Sequence, residues 1–200
     1  LIRRVISANL RVGNDSAQQR LIAYAASEGK PAAMRAEAID ALSTWAKPSV
    51  LDRVDGRLRG PVTRDAGQLK SKVTEPFTQL LQNKELAVRM SAVKAVAKLN
   101  IKEGAPQLLV LVKTDRDPEV RVEALRTLVT LQDAATEAAI KSALADKEKS
   151  VRVAGLDLLT NMNIGKDLMV SLLNDVIATK TVEEKQAAVL TLGKLPLQYS

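Results

Sequence analysis

Cysteine and histidine are both absent from this 200-residue chain, and aromatic residues make up only 2% of it. Without cysteine there is no disulfide, no thiolate nucleophile and no thiolate metal ligand. Without histidine, the commonest metal ligand and the usual general base near neutral pH are missing. Serine–histidine triads, zinc hydrolase centres and axial histidine–haem ligation are thereby excluded within the chain. So few aromatics argue against a β-sandwich or barrel, whose strands draw on aromatic and β-branched residues. No apolar run approaches the length of about 18 residues expected of a membrane-spanning helix. Phosphate-cradling GxGxxG and Walker-type patterns do not occur, nor does the pattern of a secretory signal peptide. A lack of cysteine suits a reducing or an oxidising compartment equally.

What is present is 46% apolar and 26% charged residues, with 30 Lys and Arg against 23 Asp and Glu, for a net charge of +7. This is the composition of a helix-rich chain, and at such a length a single domain buries roughly 70% of its unfolded surface.

An internal repeat organises the sequence. Five segments align without gaps: MRAEAIDALSTW (34–45), VRMSAVKAVAKL (88–99), VRVEALRTLVTL (120–131), VRVAGLDLLTNM (151–162) and EKQAAVLTLGKL (184–195). The second column is basic throughout (Arg35, Arg89, Arg121, Arg152, Lys185), at spacings of 54, 32, 31 and 33 residues. The fifth column is small (Ala38, Ala92, Ala124, Gly155, Ala188), and the sixth and ninth are aliphatic. Trp45, Leu99, Leu131, Met162 and Leu195 close the rows. Such offsets keep to one face of a 3.6-residue helix, and small residues let a neighbouring helix approach. Twelve residues before four of the basic positions stand Phe77, Leu109, Ile140 and Leu173, each in a shorter apolar stretch. Each unit is therefore expected to be a helix pair, with start signals such as Asp117 followed by Pro118. One pair cannot bury both apolar stripes, whereas stacked pairs share a core. The expected fold is all-α, an α–α superhelix of about five helix pairs in one domain over 1–200. The segments resemble HEAT repeats, in a short variety of roughly 30 residues per unit.

The first spacing is longer because of KPSVLDRVDGRLRGPVTRDAGQL, residues 47–69, read as one charged loop insertion. Its prolines and glycines break helices, and Asp55-Gly56 signals a tight turn or small β-hairpin. Arg53, Arg57, Arg59 and Arg64 cluster here against Asp52, Asp55 and Asp65. They are the interaction candidates, either as a loop that contacts a partner or as one folded on the helices and internally paired. The recurring Arg35, Arg89, Arg121 and Arg152 are read as structural repeat positions rather than a ligand-binding ladder, with Glu85 and Asp117 four residues before Arg89 and Arg121 as helix neighbours. Trp45 shares the Leu99/Leu131 column and is expected in the core rather than as a stacking platform. Carboxylate pairs such as Glu183–Glu184 and Asp115–Asp117 look like solvated caps. No catalytic, cofactor-binding or metal residue emerges.

The motif formed by Trp45, Pro48, Asp52, Arg53, Val54, Gly56, Arg57, Arg59 and Gly60 resembles a stretch of exported bacterial membrane-bound dehydrogenase proteins. These join a β-propeller similar to quinone-dependent sugar dehydrogenases, a HEAT region and a c-type cytochrome with a CxxCH haem motif. The resemblance covers about an eighth of the chain, which contains neither propeller nor CxxCH. It implies a connector in an exported or periplasmic protein, with haem c and a quinone held only by the parent chain. The chain starts with Leu1 rather than methionine, and Ile2, Val5 and Ile6 near one end and Leu195, Pro196 and Leu197 near the other are apolar. It is accordingly read as a piece of a longer protein.

Positive charge decays along the sequence: 12 basic and 7 acidic residues over 1–70, 11 and 9 over 71–145, and 7 and 7 over 146–200. Such a field favours an acidic protein surface, an anionic lipid or a phosphate backbone. The leading expectation is a non-catalytic protein-interaction scaffold, its partners being neighbouring domains of the same chain or an acidic protein surface. The alternative is a free-standing basic HEAT protein binding nucleic acid. Against that, Glu37, Asp40, Glu123 and Asp157 share the helix surfaces with the basic residues, and aromatics for base stacking are few. A HEAT-like hydroxylase needs histidine ligands and is excluded, while a bilin lyase has no residue by which to judge it.

Overall fold

The computed structural model describes residues 1–159 and 166–194. Met162, Leu195, Pro196, Leu197 and Tyr199 lie outside the described residues. Among the described residues the regular structure is eleven α-helices and one short 3-10 turn. The chain divides into two compact units, Leu1–Gln107 and Leu108–Ser200.

In the first unit, α1 (Ile2–Val12) ends at Gly13, whose φ of 68° is left-handed and whose N–H donates to the Asn9 carbonyl at 3.1 Å. Helix α2 (Asp15–Ala26) starts on Asn14, the side chain of which accepts from the Ala17 N–H at 2.9 Å. Asp15 lies in that first turn, where a negative charge suits the helix dipole. Helix α3 (Ala32–Ser43) follows Pro31, and α4 (Gly67–Leu80) begins where the Asp65 carboxylate accepts from the Gly67 N–H at 2.8 Å. Helix α5 (Leu86–Lys98) ends before Asn100, which takes φ 51°, and a 3-10 turn over Lys102–Gly104 leads on. Helix α3 packs against α1, α2 and α5, while α4 packs against α2 and α5.

The core of this unit is the repeat pattern made solid. Ala38, Ile39, Leu42, Trp45, Ala92, Val93 and Val96 are all at most 1% exposed, and Phe77 on α4 is fully buried. A buried side chain of that size contributes roughly 1.5–3 kcal/mol. Leu99, in the same column as Trp45, is only half-buried. Helix α4 starts at Gly67 and carries Leu69 into the core, so the non-helical stretch between α3 and α4, which holds most of the insertion read at 47–69, is 44–66. Pairing of Leu69 with the apolar stripe of Val73 and Phe77 outweighs the glycine at the helix start.

In the second unit, α7 (Pro118–Leu131), α8 (Thr136–Leu144), α9 (Lys149–Leu159), α10 (Lys166–Thr179) and α11 (Val182–Lys194) follow α6 (Ala105–Thr114), which straddles the division. Asp117 caps α7, its carboxylate accepting from the Glu119 N–H at 2.8 Å, with Pro118 at the first helical position. Helix α9 packs against α7, α8 and α11, and α10 against α11. Small residues do what their column implies: a Cβ on Gly155 would come within 3.3 Å of the Ala143 Cβ and Leu144 Cδ2, so α8 and α9 lie close enough that an alanine there would have to push its neighbours by a few tenths of an ångström. Three column positions depart from expectation: Leu109, Val189 and Leu192. Leu109 is half-buried while Leu108 and Val112 are fully buried, because the unbroken LLVLV run offers α6 an alternative buried stripe. Val189 is 56% exposed and Leu192 half-buried, on a helix whose main packing among the described residues is against α9 and α10.

No helix among the described residues is long and apolar enough to cross a membrane, and none of their acidic clusters could hold a metal ion.

Candidate functional site

The insertion leaves the helical repeat at Trp45, which is 1% exposed, and at the buried Pro48. Its two arms run antiparallel. The Arg64 N–H donates to the Ala46 carbonyl at 2.9 Å, Arg59 to Val50 at 2.8 Å, and Asp52 to Arg57 at 2.8 Å. Leu51 and Leu58 form a single antiparallel bridge, so the expected hairpin exists in a minimal form. The turn closes through the Gly56 N–H to the Asp52 carbonyl at 3.0 Å, with Gly56 at φ 70°. That left-handed conformation suits glycine. The Asp52 carboxylate accepts from the Val54 N–H at 2.8 Å and the Ser7 hydroxyl at 3.3 Å. These bonds, led by the Val54 N–H, hold the Asp52 carboxyl below the usual carboxylate range. It is a charged anchor rather than a proton donor.

The loop is fastened to the helices at several points. Arg11 on α1 donates through Nη2 to the Ser49 carbonyl at 2.5 Å and the Leu51 carbonyl at 3.2 Å. Arg53 reaches Glu37 on α3 at 2.9 Å, and Arg3 reaches the same carboxylate at 3.4 Å. Arg64 lies over the Trp45 ring, 4.8 Å from its centroid, and donates to the carbonyls of Trp45 and Arg11, both at 3.0 Å. Burial, and the neighbouring charge of Arg11, push the Arg64 guanidinium down from its ordinary value. A guanidinium on an aromatic face contributes about 0.5–2 kcal/mol, more as it is desolvated.

The four insertion arginines thus divide. Arg53 and Arg64 are spent on fixing the loop, while Arg59 is 43% exposed and paired with Asp52 at 3.4 Å and Asp55 at 3.1 Å. Arg57 is 77% exposed and lies 3.8 Å from Asp55. Between α1 and the hairpin runs a groove of about 730 Å³ with Arg4, Ser7, Ala8 and Arg11 on one side and Asp52 to Arg59 on the other. Sequence reasoning did not single out Arg4, Ser7 and Arg11, although their i, i+3, i+7 spacing on an amphipathic helix was readable. A second groove of about 480 Å³ in the same unit carries Lys47, Lys70 and Lys98, with Lys70 donating to the Asn100 carbonyl at 2.5 Å.

The repeat arginines take a different environment. Arg121, 3% exposed, forks onto Asp146 at 2.8 and 2.9 Å and donates to the Asp115 carbonyl at 2.7 Å. Arg152 forks onto Glu184 and donates to the carbonyls of Asp146 and Lys147 at 2.8 and 2.9 Å. Arg89 donates to the Asn83 and Lys84 carbonyls at 2.9 and 3.0 Å. Arg35, 1% exposed, donates to the Ala25 carbonyl at 2.9 Å, and its Nη2 has no partner. In Arg121 and Arg152, one nitrogen ties the turn of its own helix pair and the fork takes a carboxylate of the next.

This chain is a helical-repeat protein of the α–α superhelix class. A designed armadillo repeat protein, solved in complex with the peptide (KR)4, matches with a TM-score of 0.58 at 15% identity, covering 96% of this chain and 90% of that one. An engineered protein matches with a TM-score of 0.53 at 15% identity, covering 94% and 95% respectively. At such identity the likeness is one of fold. No protein-family model matches the chain, and no curated protein does.

What the insertion can do chemically is recognise anions. Its exposed guanidinium groups present planar forks that suit carboxylates or phosphates, on a loop already held in place.

Proposed function

We propose that the chain is a non-catalytic protein-interaction scaffold, a helical-repeat frame that presents the 44–66 insertion as a docking element. One observation carries this reading: the insertion is tied to α1 and α3 through Arg11, Arg53, Arg64 and Ser7, yet it keeps Arg57 and Leu58 at 77% (side chain) and 74% exposure. A projecting loop fixed before it meets a partner loses less conformational freedom on binding. That a designed repeat protein of similar fold holds the peptide (KR)4 supports a polypeptide as the class of partner. The repeat arginines that carry charge into the interior are turned onto turn carbonyls and carboxylates, which supports a structural role for them.

The resemblance of the Trp45–Gly60 motif supports a finer version. In it the partners are a sugar-dehydrogenase-like propeller and a c-type cytochrome of one exported protein, with the quinone and haem bound by those parts. The gene on either side of this segment tests the connector: propeller-coding sequence on one side and CxxCH on the other are expected, and the absence of both removes it. The non-catalytic reading is tested by incubating the purified chain with sugars, a quinone and a redox dye. No turnover is expected, and turnover would overturn it.

A further inference from the structure

We infer that the groove between α1 and the inserted hairpin docks an acidic peptide segment of a partner protein, with Arg4 and Arg57 as the guanidinium groups that take its carboxylates. The inference rests on the interaction reading above and names the chemistry of its partner.

Four arginines and only two carboxylates line the groove. Arg59 alone reaches both carboxylates, Asp52 at 3.4 Å and Asp55 at 3.1 Å. Arg11 gives its Nη2 to two carbonyls, and its Nε and Nη1 are covered and without partners, so its charge meets no carboxylate among the described residues. Arg4 is exposed and forms no ion pair among them. Arg57 holds Asp55 only at 3.8 Å, and the two side chains are 77% and 38% exposed, a contact that contributes little in water. The groove therefore has an uncompensated positive field and two guanidinium forks free to turn. Ala8, Val54 and the arginine stems supply apolar surface between the charges, which suits the methylenes of Glu and Asp side chains.

The same features favour a peptide over nucleic acid. Asp52 and Asp55 stand inside the groove and would repel a uniformly charged phosphate backbone, whereas a peptide can place its carboxylates at intervals. Among the described residues no aromatic lines the groove on which a base could stack. From Arg4 to Arg11 helix α1 rises only about 10 Å, which fits a few residues of extended chain.

The test is fluorescence anisotropy of the purified chain with three labelled probes: a Glu/Asp-rich peptide, its Gln/Asn counterpart and a single-stranded oligonucleotide of equal charge. The acidic peptide is expected to bind at low salt, and the Gln/Asn counterpart at least about 10-fold more weakly, the worth of one charge-assisted hydrogen bond. The double variant Arg4→Gln/Arg57→Gln, in which both replaced side chains are exposed, is expected to lose about 10-fold or more in affinity. Arg126→Gln, which removes an exposed arginine that does not line the groove, is expected to change it less than about 2-fold, as befits a screened surface charge. Equal losses in both variants, or tighter binding of the oligonucleotide than of the peptide, would overturn the inference. Peptide binding that survives R4Q/R57Q overturns this site and leaves the scaffold reading standing, whereas sugar turnover by the chain overturns the scaffold and not the peptide site.

Discussion

Replacing Glu184 by glutamine should destabilise the second unit by about 3 kcal/mol at neutral pH, and the loss should vanish in acid. Glu184 is 1% exposed and receives the fork of Arg152, whose side chain is 14% exposed. The Thr181 hydroxyl donates to its Oε2 at 2.6 Å and the Thr181 N–H at 3.2 Å. Thr181 precedes α11 and Glu184 stands three residues on, which is the capping-box arrangement. Led by the Arg152 hydrogen bond, these contacts bring the Glu184 carboxyl down to about 2 from 4.5. A carboxyl so lowered contributes on the order of 3 kcal/mol at pH 7. Because the folded value is the depressed one, the contribution is complete above about pH 4.5, falls as pH drops toward 2, and is gone below that. Glutamine can still serve the capping box, so Glu184→Gln removes the charge while keeping the cap, and leaves Arg152 without its carboxylate. Losing one partner of a buried pair costs about 3–5 kcal/mol. The sole tryptophan, Trp45, lies in the other unit, so the assay should be hydrogen exchange of α9 and α11 amides, with urea unfolding followed by helical circular dichroism. In the double variant Arg152→Met/Glu184→Gln the penalty should be smaller than in Glu184→Gln alone, since methionine removes the stranded charge. A wild-type-to-variant gap below about 1 kcal/mol at pH 7, within the range of an exposed pair, would refute the reasoning. So would a gap that stays constant from pH 7 to pH 2.

Three further outcomes follow from the first unit. Gly13→Ala should cost at least about 1–2 kcal/mol for the left-handed conformation. Its new Cβ would also run into the Arg64 guanidinium, so trypsin should cut faster after Arg57; unchanged cleavage and melting would show the contact to be dispensable. Asn83→Asp should stabilise by about 1 kcal/mol. The Asn83 side chain accepts from the Glu85 N–H at 3.1 Å, as Asp115 and Asp146 do from Asp117 and Glu148 at 2.9 and 2.8 Å. Each of the three stands six residues before its repeat arginine, and a carboxylate at Asn83, just ahead of α5, would also suit the positive end of that helix; a lower unfolding midpoint in urea would contradict this. Trp45→Ala should cost about 3–5 kcal/mol by cavity formation and free the Arg64 side chain above it, read as a drop in thermal midpoint together with faster proteolysis within 53–64.

The helical repeat was written in local spacing. Residues one, five, six and nine along each row share a helix face whatever surrounds them, so Ala38, Ile39 and Leu42, or Ala124, Leu125 and Leu128, could be assigned to a buried stripe before any packing was known. Capping is equally local: Asp117 with Pro118 needs only its own next turn. Where the local pattern is degenerate it stops deciding. The LLVLV run of α6 permits more than one buried stripe, and the neighbours chose Leu108 and Val112 over Leu109. Val189 carries the right residue for its column and remains exposed, because burial requires a helix on the other side.

The insertion shows the other half. Its composition marked a charged loop, and its Asp-Gly a turn, but which arginine does what depends on where the loop comes to lie. Arg53 meets a carboxylate on α3, Arg64 meets Trp45 and a carbonyl of α1 fifty-three residues away, and Arg57 meets mostly water. Arg4 and Arg11 join the groove only because α1 packs beside α3, which carries the loop. The spacing of small and aliphatic residues determined that this chain is a helical repeat, since periodicity acts within one helix. The tertiary structure alone decided which charges were neutralised and which were left free, since a guanidinium's partner is set by distances between elements far apart in the chain.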